Sequence, residues 1–230
     1  MIGAVVVDIE GTTSPTSAVR EDLYGYTRGR LPRWLREGSP AAAEVAQRTR
    51  ELAGRPDADT DAVAEILRGW LDSDVKAAPL KQAQGVICAE GFRSGALTGE
   101  FFSDAPPALR RWHDQGIGLY VYSSGSVRNQ RDWFTFARDG GLAPLISDWF
   151  DLANAGAKKD PESYRTIAAA IGLPGPRILF LSDHPDELDA AAEAGWRVLG
   201  VTRAGEPNSP RAPHRWINDF AEVDLSAAGD

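Results

Sequence analysis

The sequence predicts an α/β fold: a doubly wound, mostly parallel sheet carrying an all-helical insert. Short β-branched runs recur along the chain, and each is coupled to a segment of helical period. A long stretch near the N-terminus, by contrast, has helical period alone.

Residues 2–9 form the first run, rich in valine and too short for a helix, as a strand buried on both faces would be. "GLYVYS" (118–123), "RILFLS" (177–182) and "RVLGVT" (197–202) repeat the pattern, and "WFDLANAG" (149–156) offers a further short strand. Helical segments lie between them. "PPALRRWHDQG" (106–116) sets Leu109 and Trp112 on one face and stops at Gly116. "PESYRTIAAAIG" (161–172) opens on Pro161 and stops at Gly172, and "DELDAAAEAG" (186–195) ends at Gly195.

From 16 to 105 the reading changes. "REDLYGYTRGRLPRWLRE", "PAAAEVAQRTRELAG", "DTDAVAEILRGWLDSDVKA" and "PLKQAQGVICAEGF" are all helical in period, separated by "EGSP", "GRPDADT" and "AAP". The expected organisation is an α/β core over 1–15 and 106–230 with a four-helix insert over 16–105. The tail "SAAGD" is expected to lack fixed structure.

Bulk properties narrow the function. A net charge of −8 argues against a nucleic-acid surface, so a small anionic ligand needs a local positive site. The single cysteine, Cys88, permits no internal disulfide, and a reducing, cytoplasmic setting is expected. The N-terminus does not read as a signal peptide, and no apolar run approaches the ~20 residues that span a bilayer. A monomer is expected. Only four of the 25 basic residues are lysines (Lys76, Lys81, Lys158 and Lys159), so each lysine is worth inspection.

Ligands of open α/β sheets bind beyond the carboxyl ends of the strands. Four polar groups fall there: Asp8, Glu10, Thr12 and Thr13; Ser123, Ser124, Gly125 and Ser126; Lys158 and Lys159; and Ser182, Asp183, Asp186 and Glu187. An apolar strand that runs straight into two acids needs a partner for them, and a cation is the simplest one. Asp8 and Asp183, with a main-chain carbonyl near Glu10, suit Mg²⁺ completed by water. Ser123 offers a hydroxyl, and the "SSGS" loop leading into "VRNQRDWF" offers amides at a helix N-terminus. With Lys158 as the positive charge, the set suits a phosphate ester, with Asp8 attacking phosphorus.

Taken singly these stretches have plainer readings. "SDHPDELDAA" alone is a helix capped by Asp183 or Asp186, "SSGS" is a loop, and Trp34, Trp70 and Trp112 are core residues. The three histidines do not form a metal set with Cys88, and no nucleotide-binding glycine motif is present.

In order, "DIEGTT", "YSSGS", "KKDPESY" and "FLSDHPDELDAA" resemble the four signature motifs of the haloacid dehalogenase superfamily of phosphatases. The resemblance implies a Rossmann-like core and makes the helical insert a cap. The acid pair is Asp8 then Glu10 where the superfamily usually has two aspartates. With "YSSGSV" and "QGVICAEGFRSGALTGEFFSDAPPALRRW", it resembles the enolase-phosphatase (acireductone synthase) family of methionine salvage.

That family enolises 2,3-diketo-5-methylthiopentyl-1-phosphate and then removes the phosphate, giving the acireductone. The resemblance implies Mg²⁺ as cofactor, with Asp8 as nucleophile and metal ligand. It gives Glu10 a metal contact through its carbonyl and a part in proton transfer. Ser123 and Ser124 would hold phosphate or enolate oxygen, and Lys158, six residues before Tyr164, would be the family lysine. Asp183 would be the second metal carboxylate, and Glu187 an acid at the metal that orients its bound water. Cys88 and Phe92 replace the family's usual tryptophan and tyrosine in the cap. A plain Mg²⁺-dependent phosphatase, a dehalogenase and a non-catalytic binding module are the alternatives on the same scaffold.

Overall fold

The computed structural model describes residues 1–73 and 75–226. The part of the tail from residue 227 onward lies outside the described residues. The chain forms two compact units, Met1–Thr16 with Gly99–Asp230, and Ser17–Thr98. Residues 99–105 thus cluster with the α/β unit, tied by the Phe102 N–H to the Thr13 carbonyl at 2.9 Å.

The α/β unit is a six-stranded parallel sheet with helices on its faces. The strands are β1 (Ala4–Val7), β2 (Gly118–Tyr122), β3 (Asp148–Phe150), β4 (Ile178–Ser182), β5 (Arg197–Val201) and β6 (Trp216–Ile217), in the spatial order β3-β2-β1-β4-β5-β6. Every residue of β1 is buried, as a central strand covered on both faces requires. Ala4 and Val6 pack with Tyr164, Ile167, Leu188 and Trp196. Those residues come from the region of α8 (Pro161–Ile171) and α9 (Pro185–Glu193). Period two turns Val5 and Val7 to the opposite face. Of the helices α6 (Ala105–Asp114) and α7 (Val127–Thr135), α6 packs on β2 and α7 on β3. The edge strand β6 has no counterpart in the sequence reading.

This strand order fixes where the site lies. The chain runs outward from β1 through β2 to β3, then returns to lay β4 on the other side of β1. The switch point is therefore between the ends of β1 and β4, with Val7 level with Leu181 on one side and Val121 on the other. Asp8 and Asp183 follow β1 and β4 directly.

The second unit is all helical: a short turn α1 (Thr16–Ala18) at the junction, a π-helical stretch Val19–Tyr24, then α2 (Gly25–Arg36), α3 (Pro40–Leu52), α4 (Thr60–Asp72) and α5 (Ala78–Arg93). Leu31, Trp34, Val45, Val63, Leu67 and Ile87 form its core. Local signals set the helix starts: Ser39 accepts from the Ala42 N–H at 3.2 Å and Asp59 from the Ala62 N–H at 2.8 Å. Trp34 and Trp112 are buried as expected, while Trp70 is only partly so. Among the described residues no helix is long and apolar enough to cross a membrane.

Candidate active site

The sequence of β1 brings Asp8 to the end of the sheet, and the turn after it is built by its own residues. Thr13 Oγ1 donates to the Asp8 carbonyl at 2.9 Å, and Thr12 Oγ1 accepts from the Asp183 N–H at 2.9 Å. Both threonines of "DIEGTT" are buried: Thr13 braces the turn after β1, and Thr12 ties that turn to the end of β4. Gly11 sits at φ +69°, and a Cβ there would stand 2.2 Å from Asp183 Oδ2. Only glycine allows both that backbone and that approach.

Lys158 Nζ lies 2.7 Å from Asp8 Oδ1 and 2.6 Å from Glu187 Oε2. All three side chains are buried. The register of the lysine loop is set by the Tyr164 hydroxyl, which donates to the Lys158 carbonyl at 2.7 Å. Lys159 turns outward to Asp186 at 3.0 Å, where both side chains are largely exposed. Glu187 Oε2 also accepts from Ser182 Oγ at 2.9 Å. Glu187, expected beside the metal, is thus engaged with both Lys158 and Ser182.

The charges explain the titration. Burial alone would lower the Lys158 ammonium, but Asp8 and Glu187 outweigh it and hold the lysine above its ordinary range. That one cation is divided between two carboxylates, so Asp8 is left under-compensated. Burial, with Glu187 adding repulsion, pushes its carboxyl up to about 6 against the pull of Lys158. Asp183 is pushed up to about 7 by burial and by Asp8, while the Asn208 amide, donating to Oδ2 at 2.7 Å, pulls the other way.

Three carboxyl groups against one ammonium leave the buried site short of positive charge. That deficit suits a divalent cation. Among the described residues no group of three or more His, Cys, Asp or Glu is arranged to hold a metal ion by side chains alone. A small hard cation that keeps several waters needs only one or two carboxylates. Asp8, Asp183 and the Glu10 main chain fit that demand. Glu10 itself is half-buried in the turn, bridged through its backbone to Ser14.

On the other side of Asp8, Ser123 follows β2 and is buried, with Ser124 next to it half-buried. The first amides of α7 are used internally. The Val127 N–H donates to Asp151 Oδ2 at 3.0 Å, and the Asn129 N–H donates to Ser126 Oγ at 3.3 Å. These bonds engage two of the first three amides of α7, so the loop 123–126 is the part of this segment best placed to offer further N–H groups to an anion. A correction concerns α9. Its cap is neither Asp183 nor Asp186 but His184, whose Nδ1 accepts from the Asp186 N–H at 3.3 Å. Burial and Lys159 lower the His184 pKa, in keeping with a neutral ring that accepts at Nδ1.

Sequence reasoning missed the supports from the β5–β6 connection. Arg203 is buried, donates to the Thr12 carbonyl through Nε (3.2 Å) and Nη2 (3.0 Å), and pairs with Asp104 at 2.9 Å. It stands just beyond β5, at the same end of the sheet as the other groups, and that position was its signal. Asn208, deeper in the connection, had none.

Residues 2–195 match the haloacid dehalogenase-like hydrolase family. The chain is 66% identical over 227 residues to the protein named Enolase-phosphatase E1 of Nocardia farcinica, covering 98% of each chain. The chain belongs to the enolase-phosphatase E1 family. The Streptomyces avermitilis member is 54% identical over 208 residues, covering 90% of this chain and 87% of that one. Among solved structures, the UTR4 protein of Saccharomyces cerevisiae superposes with a TM-score of 0.82 at 27% identity, covering 97% of this chain and all of that one. Membership makes this chain a hydrolase of phosphatase type.

Proposed function

We propose that the chain is a bifunctional, Mg²⁺-dependent enolase-phosphatase. It would convert 2,3-diketo-5-methylthiopentyl-1-phosphate to acireductone and phosphate in the methionine salvage route of the cytoplasm. The observation that carries this reading is the identity along nearly the whole of both chains with a protein named Enolase-phosphatase E1. The cluster of Asp8, Lys158 and Asp183 supplies the chemistry to match.

In this reading Asp8 attacks phosphorus, the ester oxygen departs, and water then cleaves the aspartyl-phosphate. Lys158 holds Asp8 in line and lends its charge to the phosphoryl oxygens, while Glu187 keeps the ammonium in place. Ser123 and Ser124 receive phosphate or enolate oxygen. Glu10, two residues beyond the nucleophile, serves proton transfer in the enolisation. Mg²⁺, held by Asp8, Asp183 and the Glu10 main chain, supplies charge that offsets the phosphoryl group when bound.

A phosphate-release assay across a panel of small esters that includes the diketo ester tests the proposal. Preference for the diketo ester supports it. Equal turnover of the whole panel would favour a plain phosphatase, and release from none would sink both.

A further inference from the structure

We infer that Gln130 is the positioning residue that turns the peptides of the 123–126 loop toward the phosphoryl group. The inference rests on the phosphatase reading above and adds to it the residue that shapes its phosphate cradle.

Gln130 lies on α7 and is only 2% exposed. Its Nε2 donates to the Gly125 carbonyl at 2.8 Å and the Phe150 carbonyl at 2.9 Å, and stands 3.4 Å from the Ser123 carbonyl. Facing three carbonyls, the amide has one tenable orientation, with nitrogen toward them. The cost falls on Oε1, which is buried and has no protein hydrogen-bond partner among the described residues. A side chain selected for stability alone would satisfy both ends. Here the acceptor is left unpaired while the donor end gathers loop carbonyls.

The direction of the loop amides follows from peptide planarity. The carbonyl of residue 123 and the N–H of residue 124 share one trans peptide and point opposite ways, as do those of 125 and 126. With both oxygens drawn to Gln130, the N–H groups of Ser124 and Ser126 face away from it. Gln130 bridges the ends of β2 and β3, since Phe150 closes β3. β1 lies on the far side of β2. The two amides therefore turn toward the β1 side, where Asp8 stands. The amides at the start of α7, by contrast, are held by Asp151 and Ser126, and the Asp151 carboxylate would repel an anion there.

The test uses Mg²⁺-loaded Gln130→Met, which keeps the length and removes the donors. Orthophosphate, measured as an inhibitor, should bind about tenfold weaker or worse, and KM for the ester should rise by a similar factor with kcat changed less. The Mg²⁺-induced rise in Tm should match that of the wild type, a readout that general misfolding would not preserve. Orthophosphate affinity within about twofold of the wild type would overturn the proposal. A wild type that releases no phosphate from any ester would instead remove the reading beneath it. Should the variant fail to fold, the wild type still decides. Orthophosphate added to the ¹⁵N-labelled, Mg²⁺-loaded protein should shift the Ser124 and Ser126 amide signals more than those of Val127 and Asn129, and the reverse order would overturn the assignment.

Discussion

Lys158 Nζ stands 2.7 Å from Asp8 Oδ1, whereas the adjacent Lys159 pairs with Asp186, on the exposed side of α9. Two consecutive lysines thus occupy opposite environments, one buried between two acids and one solvated. The Tyr164 hydroxyl on the Lys158 carbonyl fixes which is which.

Replacing Lys158 by alanine should cost about two to three orders of magnitude in kcat, the range for loss of a group aimed at transition-state charge. Lys159→Ala should stay within about fivefold, because a solvated ion pair contributes little. Steady-state kinetics on the two variants checks this. Equal losses would mean that the lysine loop has been misread.

Asp8→Asn should abolish phosphate release, with a loss of at least about three orders of magnitude, while the fold persists. The amide nearly matches the carboxylate in shape but is a very poor nucleophile. Single-turnover phosphate release beside far-UV circular dichroism makes the measurement. A rate near that of the wild type would rule out the covalent route.

Asp183→Asn should stabilise the metal-free protein and abolish its response to Mg²⁺. Folding holds the Asp183 carboxyl at about 7, above its ordinary 3.8. The folded state therefore binds more protons than the unfolded one between those values, and this group's contribution to stability falls as pH rises through that window. At about pH 8 the full penalty is present in chelator, and the amide removes it. Thermal unfolding with chelator and with Mg²⁺ should give the variant a Tm higher by a few degrees in the first case and no further rise in the second. A variant that unfolds earlier in chelator would show that Asp183 is a stabilising contact rather than a strained one.

Glu10→Asp should separate the two reactions. The carboxylate is one methylene shorter, which a generic ester tolerates. Enolisation needs a base held close to the carbon that loses its proton, and a displacement of about 1 Å can cost about two orders of magnitude. Hydrolysis of a simple ester should survive while enol formation from the diketo ester falls sharply. A parallel fall in both would confine Glu10 to the metal site.

Much of this was legible in the sequence because it is local. The valine run of β1, the helical period of α3 and α4, and the polar residues at strand ends all report their own surroundings. The family resemblance pointed to Lys158 through its place six residues before Tyr164, and the same two residues are joined here by a hydrogen bond. What escaped is contact between distant segments, in two of three cases with the main chain. Arg203 holds the Thr12 carbonyl, Gln130 gathers carbonyls from two strand ends, and Asn208 reaches Asp183 from a loop. A side chain that recognises a peptide carbonyl leaves no sequence trace at its partner. Strand β6, two residues at the sheet edge, is too short for any period to show.

The most direct test follows a single mixing of the Mg²⁺-loaded wild type with the diketo ester, recording enol absorbance and released phosphate on the same sample. A bifunctional enzyme that enolises first should show enol absorbance rising ahead of phosphate. Phosphate appearing at full rate with no preceding enol would contradict the account and leave a plain phosphatase in its place.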